Sequence, residues 1–269
     1  MMDFTRLDAL RQRRPLLHCV SNLVSANDCA NLALAVGASP IMAQGEGEMA
    51  AVTAASSATV LNTGTPDEEK YRVCLLCSQA AAALAQPVVL DPVGVGANLW
   101  RLQHVQALLQ CFTPSILRVN LGEAQALVQT TGCGQGVDSP APATAQERQS
   151  AAVTLARQYQ TTVLLSGPED VVTDGETVWQ VDGGSNLMAY VTGTGCMLSV
   201  LCGAFAAVTP KTLEAAVLAA AFWKVCSRRA EIAADSRGPG SFRAALFDAA
   251  YALTAQDFAK EAAASLTKR

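Results

Sequence analysis

Short aliphatic runs alternate along this chain with longer stretches in which apolar positions recur every three or four residues. The runs are Leu16–Val20, Thr59–Asn62, Pro87–Asp91, Ile116–Val119 and Thr162–Ser166. Each is too short for a packed helix and is rich in leucine and β-branched side chains, so each predicts a buried strand. Strand then helix, repeated, predicts a mostly parallel central sheet with helices on both faces, a three-layer α/β architecture. Local punctuation agrees. Ser25 stands where it can cap a segment whose apolar positions Ala26, Cys29, Ala30, Ala33 and Val36 follow helical spacing and which Gly37 ends. Pro66-Asp67-Glu68-Glu69 opens another helix with acidic residues at its positive end. From Lys211 onward the pattern is almost wholly helical to the C-terminus, broken at Arg237-Gly238-Pro239-Gly240. One extended loop, rich in Gly, Pro, Ser and Thr, runs from Thr131 to Thr144 and is compatible with a surface excursion. Residues 1–269 therefore read as a single domain.

Composition narrows the class. The chain has 269 residues, of which 51% are hydrophobic and 16% charged, ample for a large core and incompatible with intrinsic disorder. Aromatic residues supply only 5%, so the core must be aliphatic strands and closely packed helices. With 19 basic against 23 acidic side chains and no basic stripe, a dedicated nucleic-acid binder is excluded. No clean apolar stretch reaches the roughly 20 residues of a membrane span. The N-terminus mixes Asp3, Arg6, Asp8, Arg11, Arg13 and Arg14 without an apolar stretch, which argues against a secretory leader. Nine scattered cysteines, an odd number, suit reduced thiols in a cytoplasmic protein.

Ligands in open α/β sheets sit beyond the carboxyl ends of the strands. Here those ends carry Asn22, Asn62-Thr63-Gly64-Thr65, Asp91-Pro92-Val93-Gly94-Val95-Gly96, Arg118-Val119-Asn120-Leu121-Gly122-Glu123 and Ser166-Gly167. Five polar or glycine-rich strand ends describe the rim of a site.

The sharpest segment is Val191-Thr192-Gly193-Thr194-Gly195-Cys196-Met197-Leu198-Ser199. Two glycines in a turn that opens an apolar helix place free backbone N–H groups and a positive helix end together, an arrangement that binds phosphate. It is neither a Walker loop nor a dinucleotide fingerprint, and the plain alternative is a glycine turn starting a buried helix. Cys196, in the first turn of that helix, is either a thiol acidified by the helix dipole or a small packing residue, and base rates favour packing. The pair Cys74 and Cys77 lies in a run of helical spacing and reads as core. Asp91 and Glu123, on separate strand–helix junctions, can converge to hold Mg²⁺ as phosphoryl transfer requires; alternatively one makes a turn and the other starts a helix. Arg118, inside an aliphatic strand, needs either a phosphate or a structural carboxylate. His18 in an apolar strand and His104 on a polar helix have no triad spacing. Gly193–Cys196 lacks the second glycine of a nucleophile elbow, so a cysteine hydrolase is set aside.

These motifs together resemble the hydroxyethylthiazole kinase family of thiamin salvage, within the ribokinase-like superfamily. The resemblance is carried by Asn22, Gly37-Ala38-Ser39-Pro40-Ile41-Met42, Leu61-Asn62-Thr63-Gly64-Thr65 and Leu90–Ala97. Gly136-Val137-Asp138-Ser139, Thr173-Asp174-Gly175, Thr192–Cys196 and Gly238-Pro239-Gly240-Ser241-Phe242 complete it, from about residue 15 to 255. It implies transfer of a phosphoryl group from ATP, with Mg²⁺, to the primary alcohol of 4-methyl-5-(2-hydroxyethyl)thiazole. It further implies metal-site carboxylates at Asp91 and Glu123, and nucleotide contacts at Arg118, Asn120, Ser166 and Gly195. Substrate contacts fall at Met42, Gly193 and Asn22, and Cys196 stands where related sugar kinases keep an aspartate base. A homotrimer with sites at subunit interfaces is also implied. Two positions depart from the family pattern: Val119 replaces a glycine between Arg118 and Asn120, and Ser166 replaces a threonine. The rival readings are a pyrimidine or pyridoxal kinase of the same fold, which match poorly at Ala38–Met42, and a nucleotide-binding regulatory protein without catalysis.

Overall fold

A computed structural model describes residues 2–128 and 144–269. The stretch read as a loop from Thr131, with its Gly136–Ser139 motif, lies outside the described residues as far as residue 143. The strands form one nine-stranded sheet. In chain order they are β1 (Leu16–Val20), β2 (Ser39–Ile41), β3 (Ala58–Asn62), β4 (Val88–Asp91), β5 (Ile116–Asn120), β6 (Thr162–Ser166), β7 (Asp170–Thr173), β8 (Val178–Val181) and β9 (Leu266–Lys268). Their spatial order is β2-β1-β3-β4-β5-β6-β7-β8-β9. Every pairing from β2 to β6 is parallel, and those from β6 to β9 are antiparallel. The five aliphatic runs thus become β1 and β3–β6, with ends shifted by one residue at most.

Two layers of helix cover the sheet. On one face lie α1 (Arg6–Arg13), α2 (Ala26–Val36), α8 (Thr194–Ala206), α9 (Thr212–Ala234), α10 (Pro239–Ala252) and α11 (Ala255–Ala262), packed on Leu17, Cys19, Val60, Val89, Ile116 and Leu164. On the other lie α4 (Glu68–Ala83), α5 (Leu99–Cys111), α6 (Leu121–Val128) and α7 (Ala145–Tyr159), packed on Leu61, Leu90, Leu117, Val119 and Leu165. The two-residue period of a strand sorts these side chains. In β5 it sends Leu117 and Val119 to the α6/α7 layer, which leaves Arg118 on the α8 side. Val119 is fully buried in that layer, so the side chain that replaces the family glycine points away from the rim.

Two expectations change. The C-terminal region is not helical to its end, because Leu266–Lys268 pair antiparallel with β8 and cover an edge that would otherwise be open. Ser25 does occupy the N-cap position of α2, but its hydroxyl caps nothing; Asn22 Oδ1 accepts from the Val24 and Ser25 amides instead, each at 3.0 Å. Asp67, by contrast, caps α4 by accepting from the Lys70 amide at 2.7 Å. Among the described residues no helix is long and apolar enough to cross a membrane.

Candidate active site

The strand ends meet where α8 begins. Gly193 takes a left-handed conformation, φ +81°, which turns the chain into the helix and brings it against Ser25, where a Cβ would approach within 2.8 Å. The first regular helical bond runs from the Met197 amide to the Gly193 carbonyl at 2.8 Å. The amides of Thr194, Gly195 and Cys196 are left without an intrahelical acceptor and point outward at the positive end of a helix. The Trp223 indole N–H donates to the Thr194 carbonyl at 3.1 Å and holds this turn from α9.

Directly beneath lies Arg118. One guanidinium nitrogen donates to Asp91 Oδ1 at 3.3 Å and another to Ser166 Oγ at 2.6 Å. Gly195 is glycine because Arg118 is there: a Cβ would come within 2.5 Å of Nη2. Both alternatives left open for this arginine find support in one geometry, since it is paired to a carboxylate and also forms part of a cavity wall. Burial works against its charge, but Asp91 and Glu123 outweigh burial and hold its pKa above the usual value. Ser166 keeps the hydroxyl expected of a threonine there, and that hydroxyl reaches the guanidinium.

Asp91 is fully buried and both its oxygens are engaged. Besides Arg118 it accepts from Ser199 Oγ at 2.7 Å and from Asn62 Nδ2 at 3.0 Å. The chain of contacts continues as Asn22 Nδ2 donates to Asn62 Oδ1 at 2.9 Å and to Cys196 Sγ at 3.4 Å. Asn22, Asn62, Asp91, Arg118, Ser166, Ser199 and Cys196 are therefore one connected polar network. The thiol is not acidified by the helix end. Burial and the nearby Asp91 push its pKa up, against weaker opposing effects of Ser25, Asn62 and Arg118, so it is a neutral thiol at neutral pH.

Glu123 and Asn120 stand beside this network. They cap α6 reciprocally: Glu123 Oε2 accepts from the Asn120 amide at 2.8 Å, and Asn120 Oδ1 from the Glu123 amide at 2.9 Å. Glu123 Oε1 accepts from the Gly94 amide at 2.9 Å and so ties α6 to the turn after β4. Burial raises its pKa, Asp91 adds to the rise, and Arg118 opposes it. Around Arg118 there are thus two buried carboxylates and one guanidinium, a net negative charge that a cation would offset. Among the described residues no group of three metal-ligating side chains exists, and an ion held by these two carboxylates alone would keep much of its own water. This suits Mg²⁺, which surrenders water reluctantly.

A cavity of about 380 Å³ opens beside α8 and β6. Arg118, Ser166, Gly195, Trp223, Lys224 and Asp170 are among the residues that line it. Lys224 and Asp170, absent from the sequence reading, form a buried ion pair at 3.4 Å. Lys224 Nζ also donates to the carbonyls of Gly167 and Pro168 at 2.7 and 2.8 Å, and Asp170 accepts from the Gly167 amide at 2.8 Å. The pair fixes the turn that carries Ser166. Met42 directly follows β2 and is half-buried against the core of the α8 layer. The His18 ring contacts Thr53 Oγ1 at 2.9 Å and the Ala43 carbonyl at 3.2 Å, which makes it a satisfied core histidine. Cys74 and Cys77 are buried on α4. His104 stacks between Trp100 and Tyr71 on the surface of the α4/α5 layer, far in the fold from α8.

Comparison with known proteins follows this geometry. A sequence model of the hydroxyethylthiazole kinase family matches residues 7–256. The chain is 45% identical to a hydroxyethylthiazole kinase of Herpetosiphon aurantiacus over 241 residues, 89% of this chain and 87% of that protein. It is 44% identical to one from Nitratidesulfovibrio vulgaris over 245 residues, 91% of this chain and 90% of that protein. The solved structure of a hydroxyethylthiazole kinase protein from Pyrococcus horikoshii OT3 superimposes with a TM-score of 0.88 at 34% identity, over 99% of this chain and 98% of that one. Pyridoxal kinase from Staphylococcus aureus in complex with ADP gives 0.61 at 17% identity, over 80% of this chain and 87% of that one, which speaks for the shared ribokinase-like fold alone.

Proposed function

The chain belongs to the hydroxyethylthiazole kinase family, and on that premise we propose how its residues carry out the transfer. The substrates are ATP and 4-methyl-5-(2-hydroxyethyl)thiazole, and the reaction feeds thiamin salvage. The observation that carries this reading is the free N-terminal turn of α8, Thr194–Cys196, set above the Arg118–Asp91 pair at the mouth of the cavity. ATP occupies the cavity, with Arg118, Ser166, Asn120 and Gly195 on the phosphate side. The alcohol enters from the side of Asn22, Met42 and Gly193.

In the reaction the alcohol oxygen forms a bond to the γ-phosphorus as the bond from that phosphorus to the bridging oxygen breaks. ADP leaves, and the alcohol releases its proton to solvent. The transition state is loose, so positioning and charge neutralisation matter more than proton removal. The Gly193–Cys196 turn supplies amides to the transferring oxygens, and Arg118 supplies fixed positive charge. Cys196, a buried neutral thiol oriented by Asn22, assists at the acceptor oxygen without being essential. Asp91 and Glu123 would hold Mg²⁺ largely through its water; the ion when bound offsets charge on the phosphates.

Release of ADP by purified protein with ATP and Mg²⁺ tests the reading, with the thiazole alcohol, hydroxymethylpyrimidine, pyridoxal or no acceptor. Release with the thiazole alone is expected. Release only with another acceptor would keep the fold and replace the substrate, and binding of ATP without acceptor-dependent release would favour a regulatory protein. We also infer a cytoplasmic single-domain protomer that assembles as a homotrimer with sites at subunit interfaces. The exposure of Leu23 and Val24 immediately beyond Asn22 supports that assembly. Light scattering giving a monomer mass would remove it.

A further inference from the structure

One buried ammonium, close in the fold to Asn22, has no acidic partner. Lys70, on α4, is only 8% exposed, yet its ammonium has no ion-pair partner within 4.0 Å among the described residues. Its Nζ donates to the Ser21 carbonyl at 2.6 Å and to Gln44 Oε1 at 2.9 Å. Asp67, at the N-cap one turn before it, spends Oδ1 on the Lys70 backbone amide. Burial accordingly pulls the lysine pKa down, with Cys74 and Asp67 acting the other way. Both hydrogen-bond acceptors are neutral, and both adjoin residues proposed above to meet the alcohol: Ser21 directly precedes Asn22, and Gln44 follows Met42 by two residues. An ammonium has three N–H groups, so one remains uncommitted.

A buried, unpaired charge is costly, and an apolar side chain of similar length would fill the same volume without that cost. What the ammonium adds is a positive field that the protein screens far less than water does. A neutral heteroaromatic alcohol meets that field at little expense. A fixed cation on the acceptor ring is repelled by it. We propose that Lys70 is a specificity-determining residue that selects neutral alcohol acceptors against cationic ones bearing the same hydroxyethyl group, such as N-alkylated thiazolium alcohols. The inference rests on Asn22 and Met42 marking the acceptor end, as read above.

The test compares kcat/KM for three acceptors: the neutral thiazole alcohol, its N-methyl thiazolium derivative, and a neutral analogue carrying an extra methyl on ring carbon C2 as a control for size. Each is measured with the wild-type enzyme, Lys70→Met and Lys70→Arg. The preference for the neutral alcohol over the thiazolium should fall at least tenfold in Lys70→Met and persist in Lys70→Arg. The preference over the C2-methyl analogue should not change. Because Lys70→Met also removes two hydrogen bonds, Gln44→Glu provides a second route, giving the ammonium a carboxylate partner while leaving it in place. It should relax the discrimination in the same direction. An unchanged thiazolium preference in Lys70→Met, or in Gln44→Glu if the first variant fails to fold, overturns the proposal. Failure of the wild type to turn over the neutral alcohol at all would instead sink the functional reading on which it stands.

Discussion

The two ends of the cleft are built from different chemistry. On the cavity side, charges come in pairs: Arg118 with Asp91, and Lys224 with Asp170. On the side of Asn22 and Met42, neutral amides, a satisfied histidine and one unpaired lysine do the work. The difference suits the ligands proposed for each end. Phosphates carry charge, and buried charged groups can face them only if locked by partners that survive when the ligand leaves. A small neutral alcohol asks for shape and a few orienting dipoles, which neutral groups supply without that risk. The networks join at Asn62, which accepts from Asn22 and donates to Asp91, so the thiol and the guanidinium are two amides and one carboxylate apart.

The contrast breaks most completely at Arg118. Arg118→Met leaves Asp91 buried without its cation and removes the positive charge from the phosphate side. It should lower kcat/KM by about 10³-fold and cost about 3–5 kcal/mol of stability. Steady-state kinetics alongside urea denaturation would check both, and a fall in stability with turnover intact would show that the arginine is structural only. The next effect in size comes from a single methyl. In Gly195→Ala the Cβ would lie 2.5 Å from Arg118 Nη2, so the guanidinium has to move. A displacement of that order should reduce kcat by about 10²-fold. Gly240→Ala, where a Cβ would meet nothing within 4 Å, is the matched control and should leave kcat unchanged.

Lys224→Met sharpens the comparison because it affects one end only. Losing the bonds to the Gly167 and Pro168 carbonyls frees the turn that carries Ser166. The KM for ATP should rise roughly tenfold, the value of one charge-assisted bond, while the KM for the alcohol stays as it was. A rise in both would mean that the ends are not separable. Cys196→Asp probes the junction. A carboxylate there keeps the Asn22 donor and faces Arg118, so turnover should be retained or increased. Complete loss of turnover with ATP binding intact would contradict the account of that position. The unmodified thiol should resist iodoacetamide at neutral pH, since burial raises its pKa.

Much of this was legible in the sequence, for physical reasons. β1 and β3–β6 are buried on both faces, and their aliphatic runs and polar ends mark them without any knowledge of their neighbours. Asn22, Asp91, Arg118 and Ser166 were visible because each interrupts, ends or closely follows such a run, and Cys196 because it follows two glycines at the start of an apolar helix. Lys224 and Asp170 were not. Their partnership joins α9 to β7 across more than fifty residues, and a lysine on a helix that also carries Glu214, Arg228, Arg229 and Glu231 looks like any solvent-facing charge. Lys70 was hidden in the same way, in a helix start whose acidic neighbours suggested an ordinary surface pair. The short strands β2 and β9 gave no periodicity to read, and β9 exists only because β8 offers it an edge. The Asn120–Glu123 box was half seen: a helix-start role for Glu123 was legible, but not that the one carboxylate serves both the Asn120 cap and the Gly94 turn.

That double service of Glu123 yields the smallest effect and the most selective one. Folding raises the pKa of this carboxyl, chiefly by burial and by the charge of Asp91. The native state therefore holds the proton more tightly than the unfolded chain does. The stability it contributes is fully present below the unfolded glutamate value of about 4.3 and is lost as pH rises through the native value. Glu123→Gln keeps the cap on the Asn120 amide, as glutamine can at that position, gives up the bond from the Gly94 amide at every pH, and cannot titrate. Its melting temperature should fall less than that of the wild type across this window, by on the order of 2 °C. Mg²⁺ should raise the wild-type melting temperature at the upper end of the window, where the carboxylate is charged and uncompensated, and should do so less in Glu123→Gln. If Mg²⁺ stabilises both proteins equally, the cation is held elsewhere, and the surplus negative charge around Arg118 serves only to anchor the guanidinium.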